Sequence, residues 1–155
     1  MALDTTLSSS YSLRARARAE SGDLRGALND AATALRLAVP NERFRLSAEL
    51  AEMEARNGET ERARQRLQAA FLTAGWRDGI PDSIVTVRNV YDPALAAVAL
   101  GMPDLAVAIL EHAEPRGPWL WSYMIWPGFD ALRDDPRFAR LFDASKPANA
   151  PDVPR

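Results

Sequence analysis

Small and apolar residues recur along this chain at helical spacing, and one arrangement of them occurs three times. Gly22 is followed by Ala27 and Ala34, Gly58 by Ala63 and Ala70, and Gly101 by Ala106 and Ala113. Gly22 and Gly58 stand 36 residues apart, and Gly58 and Gly101 stand 43 apart. Within a copy the two alanines are seven residues apart, so they lie on nearly the same helix face, two turns from each other. The Gly suits a helix C-terminus that turns through the left-handed region. In the first copy Asp23 follows it as a ready N-cap for the next helix. Upstream, Leu13, Ala15, Ala17 and Ala19 supply a preceding helix, as Leu46, Leu50, Ala51 and Met53 do before Gly58. Self-similarity at this period predicts stacked helical hairpins.

In chain order the pattern predicts helices over residues 5–21 and 23–38, with Tyr11 and Leu13 facing inward. Arg14, Arg16 and Arg18 alternate with Ala, but alanine favours helix over strand. Pro40 stops the second helix, and Asn41 is a candidate N-cap for the third, through Asn57. A fourth runs from Glu59 to Ala74, closed by Gly75. The period then slips by seven residues at Gly75-Trp76-Arg77-Asp78-Gly79-Ile80-Pro81, which has turn composition. Ser83–Val90 is β-branched but lacks an obvious strand partner, so a short helix is expected. Asp92-Pro93 reads as a restart, cap then first-turn proline, for a helix to Leu100. Another helix runs from Pro103 to about Glu114.

The unit resembles the tetratricopeptide repeat. The small residue of the first helix falls at Ala15, Ala51 and Ala94, and those of the second at the three alanine pairs above. A proline near the unit's end appears at Pro40. The early aromatic of the first helix is Tyr11 in the first unit but Ser47 and Val90 in the others. The resemblance implies an all-α, tetratricopeptide-like helical-hairpin solenoid of two and a half repeats, at about 8–40, 44–75 and 83–114.

Residues 117–142 hold most of the chain's aromatics: Trp119, Trp121, Tyr123, Trp126, Phe129, Phe138 and Phe142. They are expected to form a cap at 117–144, with Trp119, Trp126, Phe129 and Phe138 covering the last repeat's apolar face; an exposed docking patch is the other reading. Asp135-Pro136 begins a short amphipathic helix. The string Phe129-Asp130-x-Leu132-Arg133-x-Asp135-Pro136-Arg137-Phe138 is similar to the end of bacterial tetratricopeptide modules that follow an adenylate cyclase, a protein kinase or a winged-helix regulator. Residues 5–144 thus read as one domain, and 145–155, with three prolines, as a disordered tail.

Composition narrows the chemistry. The net charge of −2 gives no pull toward nucleic acid or anionic membrane. The absence of cysteine excludes disulfides and thiolate chemistry. No apolar run is long enough to span a membrane and no secretory signal opens the chain, so a cytoplasmic location is expected. All basic residues but Lys146 are arginine, which with so much alanine fits GC-rich bacterial coding. His112, the one histidine, reads as a solvated helical residue. Asp130, Asp134 and Asp135 read as a cap and partners of Arg133 or Arg137. No catalytic, metal or cofactor site is expected.

What remains is the groove that first helices form in such arrays. By register Ser12, Arg16, Arg45, Glu52, Arg88 and Tyr91 face it. The lysines and asparagines of the family's carboxylate clamp are missing, but three exposed arginines would suit an acidic segment, with Glu52 setting its register. The expected function is a non-catalytic protein-interaction module, monomeric or weakly homo-oligomeric, that binds a peptide or neighbouring domain. The alternative is a C-terminal regulatory fragment of a larger bacterial signalling or transcription-regulatory protein.

Overall fold

The computed structural model describes residues 5–81, 85–114 and 117–151. It is mostly helical. The helices are α1 (Thr5–Glu20), α2 (Leu24–Leu37), α3 (Arg43–Arg56), α4 (Thr60–Ala74), α5 (Val87–Ala99), α6 (Pro103–Glu111), α7 (Pro118–Met124) and α8 (Pro136–Ser145). Two 3-10 turns, Pro40–Glu42 and Pro127–Leu132, join α2 to α3 and α7 to α8.

Local chemistry sets the helix ends. Gly22, Gly58, Gly75 and Gly101 all have φ between 71° and 87°, where a Cβ would be strained. The Asp23 carboxylate accepts from the Gly26 N–H at 2.9 Å and caps α2. Asp135 likewise accepts from the Arg137 N–H at 2.7 Å, with Pro136 opening α8. Asn41 does not cap α3: it lies inside the Pro40–Glu42 turn, because Pro40 already fixes the backbone one residue earlier.

Small residues set the packing. Ala15, Ala51 and Ala94 on α1, α3 and α5 are fully buried, as are Ala27, Ala34, Ala63 and Ala106 on α2, α4 and α6. One buried cluster runs from α3 through α8, and two smaller clusters join α1, α2 and α3. Helix α3 is the hub, packed against α2, α4 and α5. The two junctions differ. Helix α3 lies mainly on α2, whereas α5 lies mainly on α3 and barely meets α4. The 75–81 excursion fills the wedge that results: Trp76 stacks on Phe71 at 5.4 Å and packs against Phe44 at 4.8 Å.

Two expectations between residues 83 and 114 are corrected. Val85–Thr86 (β1) is extended and pairs in parallel with Ala113–Glu114 (β2), the Val85 N–H donating to the His112 carbonyl at 3.0 Å. The strand does have a partner, because the chain leaves α6 at Glu111 rather than continuing to residue 114, and Ala113 is a buried strand residue. Ser83 and Ile84 lie outside the described residues. The second correction concerns Asp92-Pro93, which is not a restart: α5 begins at Val87 and Pro93 sits inside it. Pro93 cannot donate to the Asn89 carbonyl, a loss of roughly 3 kcal/mol in a helix interior. Burial of Val90, Tyr91, Ala94 and Leu95 works against that cost, and so does the pairing of Asp92 described below.

The aromatic C-terminal stretch is divided. Phe129, Phe138, Phe142 and Trp121 are buried against the α5–α6 end of the core. Trp119 is 70% exposed and Trp126 42% exposed, so neither covers the apolar face as expected. Leu13, expected inward, is 71% exposed. Residues 145–151 do not read as a loose tail: Ser145 is buried at the end of α8, the Ala150 N–H donates to the Pro147 carbonyl at 3.0 Å, and Ala150 packs against the core. Among the described residues no helix is long and apolar enough to cross a membrane.

Candidate functional site

The helical stack leaves a groove of about 460 Å³ between α1, α3, α5 and α7. Ser9, Ser12, Leu13, Arg16, Ala17 and Glu20 of α1 form one wall. Arg88, Tyr91 and Asp92 of α5, with Tyr123 and Trp126, form the other, and Arg45 of α3 reaches in from below. The register therefore gathers Ser12, Arg16, Arg45, Arg88 and Tyr91 at one surface, although α5 is stacked differently from α3.

The charges in the groove are not presented as expected. The Arg16 and Arg45 side chains are only 16% and 13% exposed. Arg16 pairs with Glu52 at 3.3 Å, with Glu49 at 3.9 Å, and closely with Asp92. Arg45 pairs with Glu49 at 3.4 Å and with Asp92 at 3.3 Å. Ser12 donates to the Glu49 carboxylate at 2.6 Å. Three buried carboxylates thus hold two nearly buried guanidinium groups from three helices. Glu52 does not face a ligand; it lies beneath the floor, between Arg16 and Arg56. Arg16 and Arg45 are already neutralised, so changing them to Glu would not leave the fold intact: four or five carboxylates would share one buried cluster. Only Arg88, 64% exposed and 3.7 Å from Glu42, presents its charge to solvent.

Burial shapes the titration of this cluster. It pushes the Glu52 carboxyl above its ordinary value, although Arg16 and Arg56 pull the other way. It also works against the Arg16 charge, but Glu52 and Glu49 outweigh it and the Arg16 pKa is raised. Arg45 is lowered, first by burial and then by Arg88 and Arg16 beside it, with Glu49 opposing. The Tyr91 phenol is pushed up to about 12 by burial, with the Arg16 guanidinium 4.9 Å over its ring.

The sequence points to the apolar half of the groove only through the alternative of an exposed aromatic docking patch, and Leu13 was expected inward. Leu13 and Trp126 stand exposed on facing walls, with Ala17 beside Leu13. Tyr123 joins them, its ring 4.5 Å from that of Tyr91. Glu49 and Asp92 were missed too, the first for lying among many helix-surface acids, the second for looking like a cap. One signal was available. Arg16 and Glu52 are 36 residues apart, as are Glu20 and Arg56, so the period aligns opposite charges twice.

The other candidates are ordinary surface features. His112 Nδ1 donates to the Ala108 carbonyl at 2.9 Å at the end of α6. Asp130 meets Arg133 at 3.3 Å, and Arg137 is shared between Asp135 and Asp104. Among the described residues no group of histidines and carboxylates is placed to hold a metal ion. Comparison with protein-family models, with curated proteins and with solved structures gives no match.

Proposed function

We propose that the chain is a non-catalytic interaction module that holds a peptide segment or part of a neighbouring domain in the groove between α1 and α5–α7. The observation that carries this reading is the exposure of Leu13 and Trp126 on facing walls of one cavity. Large apolar side chains left in water on both sides of a cleft favour a covering partner. The titratable groups of the floor are engaged with each other, which suits a rigid base better than proton transfer.

We read the scaffold as a tetratricopeptide-like solenoid with an irregular third unit. Two sets of contacts support this. Arg16–Glu52 and Glu20–Arg56 each join α1 to α3 across 36 residues. Within the hairpins, Arg18 meets Asp30 at 3.0 Å, and 36 residues on Glu54 meets Arg66 at 2.8 Å with the signs reversed. Equivalent positions therefore make equivalent contacts in the first two units. The packing of α5 on α3 is where the third departs.

Site-specific photo-crosslinking tests the groove. A photoreactive residue at position 13 should give a discrete adduct in extract of the native cell, and one at Leu72, equally exposed in a separate cavity, should not. Equal labelling from both positions, or none from position 13, would sink the reading.

A further inference from the structure

We infer that the groove selects a partner segment carrying one bulky apolar side chain close to one carboxylate, with Leu13 and Trp126 taking the first and Arg88 the second. This rests on the groove being the binding surface.

The two ends of the surface differ in chemistry. At one end Leu13, Ala17, Tyr123 and Trp126 offer apolar area. At the other a polar cavity of about 410 Å³, lined by Asn41, Glu42 and Asn89, shares Ser9, Arg45 and Arg88 with the groove. The two cavities adjoin at Ser9, Arg45 and Arg88, one with an apolar lining and the other polar, with Arg88 the exposed cation between them.

The floor between them argues against a run of acids. Arg16 and Arg45 are engaged with Glu49, Glu52 and Asp92, and Arg56 with Glu52, so every guanidinium group of the floor is already taken. A second or third acidic side chain laid over that floor would meet repulsion without a free cation. Arg88 is different. Its guanidinium is solvent-facing, and at 3.7 Å its nearest Glu42 oxygen is beyond a good hydrogen bond. The other Glu42 oxygen already accepts from Ser8 at 2.9 Å. A carboxylate arriving at Arg88 finds a solvent-facing planar fork whose one ion-pair partner, Glu42, stands off at 3.7 Å. Asn41 and Asn89 bring side-chain amides to the same end. The complementarity is thus for a single negative charge at one end and an apolar group at the other.

The test is selection of a phage-displayed random heptapeptide library on the full chain, followed by anisotropy titration of the synthetic winners. Enriched peptides should share a bulky apolar residue near an Asp or Glu. Replacing that acid by its amide should weaken binding to the wild type by about tenfold or more, as for a hydrogen bond to a charged group, and leave binding to Arg88→Gln unchanged. Arg88→Glu should turn the selected acid into Lys or Arg. Leu13 and Arg88 are largely exposed and Trp126 is 42% exposed, so Leu13→Ser with Trp126→Ser should weaken every winner while circular dichroism still reports the helical fold. Winners that lack an acid, or that bind Arg88→Gln as well as wild type, overturn this inference and leave the groove reading standing. An absence of winners, winners indifferent to Leu13→Ser with Trp126→Ser, or displacement by a second copy of the chain would overturn both.

Discussion

Arg16 and Glu52 lie 36 residues apart, the same interval as Gly22 and Gly58, and their side chains meet at 3.3 Å beneath the groove. Four residues further along each helix the pair recurs with its signs exchanged, Glu20 with Arg56 at 3.1 Å. The contact ties α1 to α3 where the two helices otherwise touch little. Breaking it leaves charge in a place that water does not reach. Arg16→Met should therefore destabilise the protein by about 3–5 kcal/mol, since Glu49 and Asp92 would be left to Arg45 and Glu52 to the more distant Arg56. Arg16→Met with Glu52→Met should cost less than the two single changes added together. Urea denaturation of the cycle measures the difference.

The pH profile should have two limbs. Glu52 has a folded pKa above its ordinary 4.5 because of burial. Folding therefore favours its protonated form. That contribution is full below 4.5 and is lost as pH rises through the elevated value. Asp135 runs the other way. The Arg137 side chain holds it down to about 2, so its contribution is present above its ordinary 3.8 and is lost as pH falls toward 2. Melting temperatures measured from pH 2 to 7 should rise on mild acidification and then fall. Glu52→Gln should flatten the upper limb, and Asp135→Asn the lower.

Ala63 is fully buried on the face of α4 that meets α3. Leucine there should cost roughly 1–3 kcal/mol through overpacking. An unchanged thermal midpoint would mean that this face is not closely packed.

Gly79 sits at φ 81° in the excursion between α4 and β1, and a Cβ there would lie 2.9 Å from Phe71 Cε2 and 3.0 Å from Leu105 Cδ1. Gly79→Ala combines left-handed strain with a clash. It should destabilise by about 1–3 kcal/mol in calorimetry, against little effect from an alanine at exposed Met102.

The C-terminal aromatics should separate by burial. A chain ending at residue 117 loses Phe129, Leu132 and Phe138, all buried on the core, and should aggregate or unfold without cooperativity. Trp119→Ser should leave the unfolding free energy within about 0.5 kcal/mol of wild type, and Trp126→Ser, at a side chain more than half covered, should cost more than that but less than loss of Phe129 or Phe138. A stable, cooperative product ending at 117 would show that the stretch is not part of the core.

Much of this protein is legible because helix ends and helix faces are local properties. A glycine in the left-handed region, an Asp before a first turn, or an alanine seven residues from another acts through neighbours within one or two turns. Gly22, Gly58, Gly75 and Gly101, the Asp23 and Asp135 caps, and the buried alanines therefore follow from the sequence alone. Of the residues expected at the groove, Ser12, Arg16 and Arg45 follow from the period of 36, which carries side-chain direction from the first hairpin to the second. Glu52 went beneath the floor, and Arg88 and Tyr91 reached the groove through the different packing of α5 on α3.

Tertiary structure decided what those side chains do. Whether Arg16 meets solvent depends on Glu49, Glu52 and Asp92 arriving from α3 and α5, and no local pattern reports that arrival. Pro93 and Asp92 look like a helix start to their neighbours, yet burial and the pairing of Asp92 with Arg16 and Arg45 keep them inside α5. Val85 and Thr86 needed a partner that the chain supplies only after α6, at Ala113. Leu13 was expected inward and Trp126 in the cap, with an exposed patch as the other reading, and the stack leaves both in the groove wall. Sequence sets what each side chain prefers; burial and charge compensation are shared among distant segments, so only the fold determines which preferences are met.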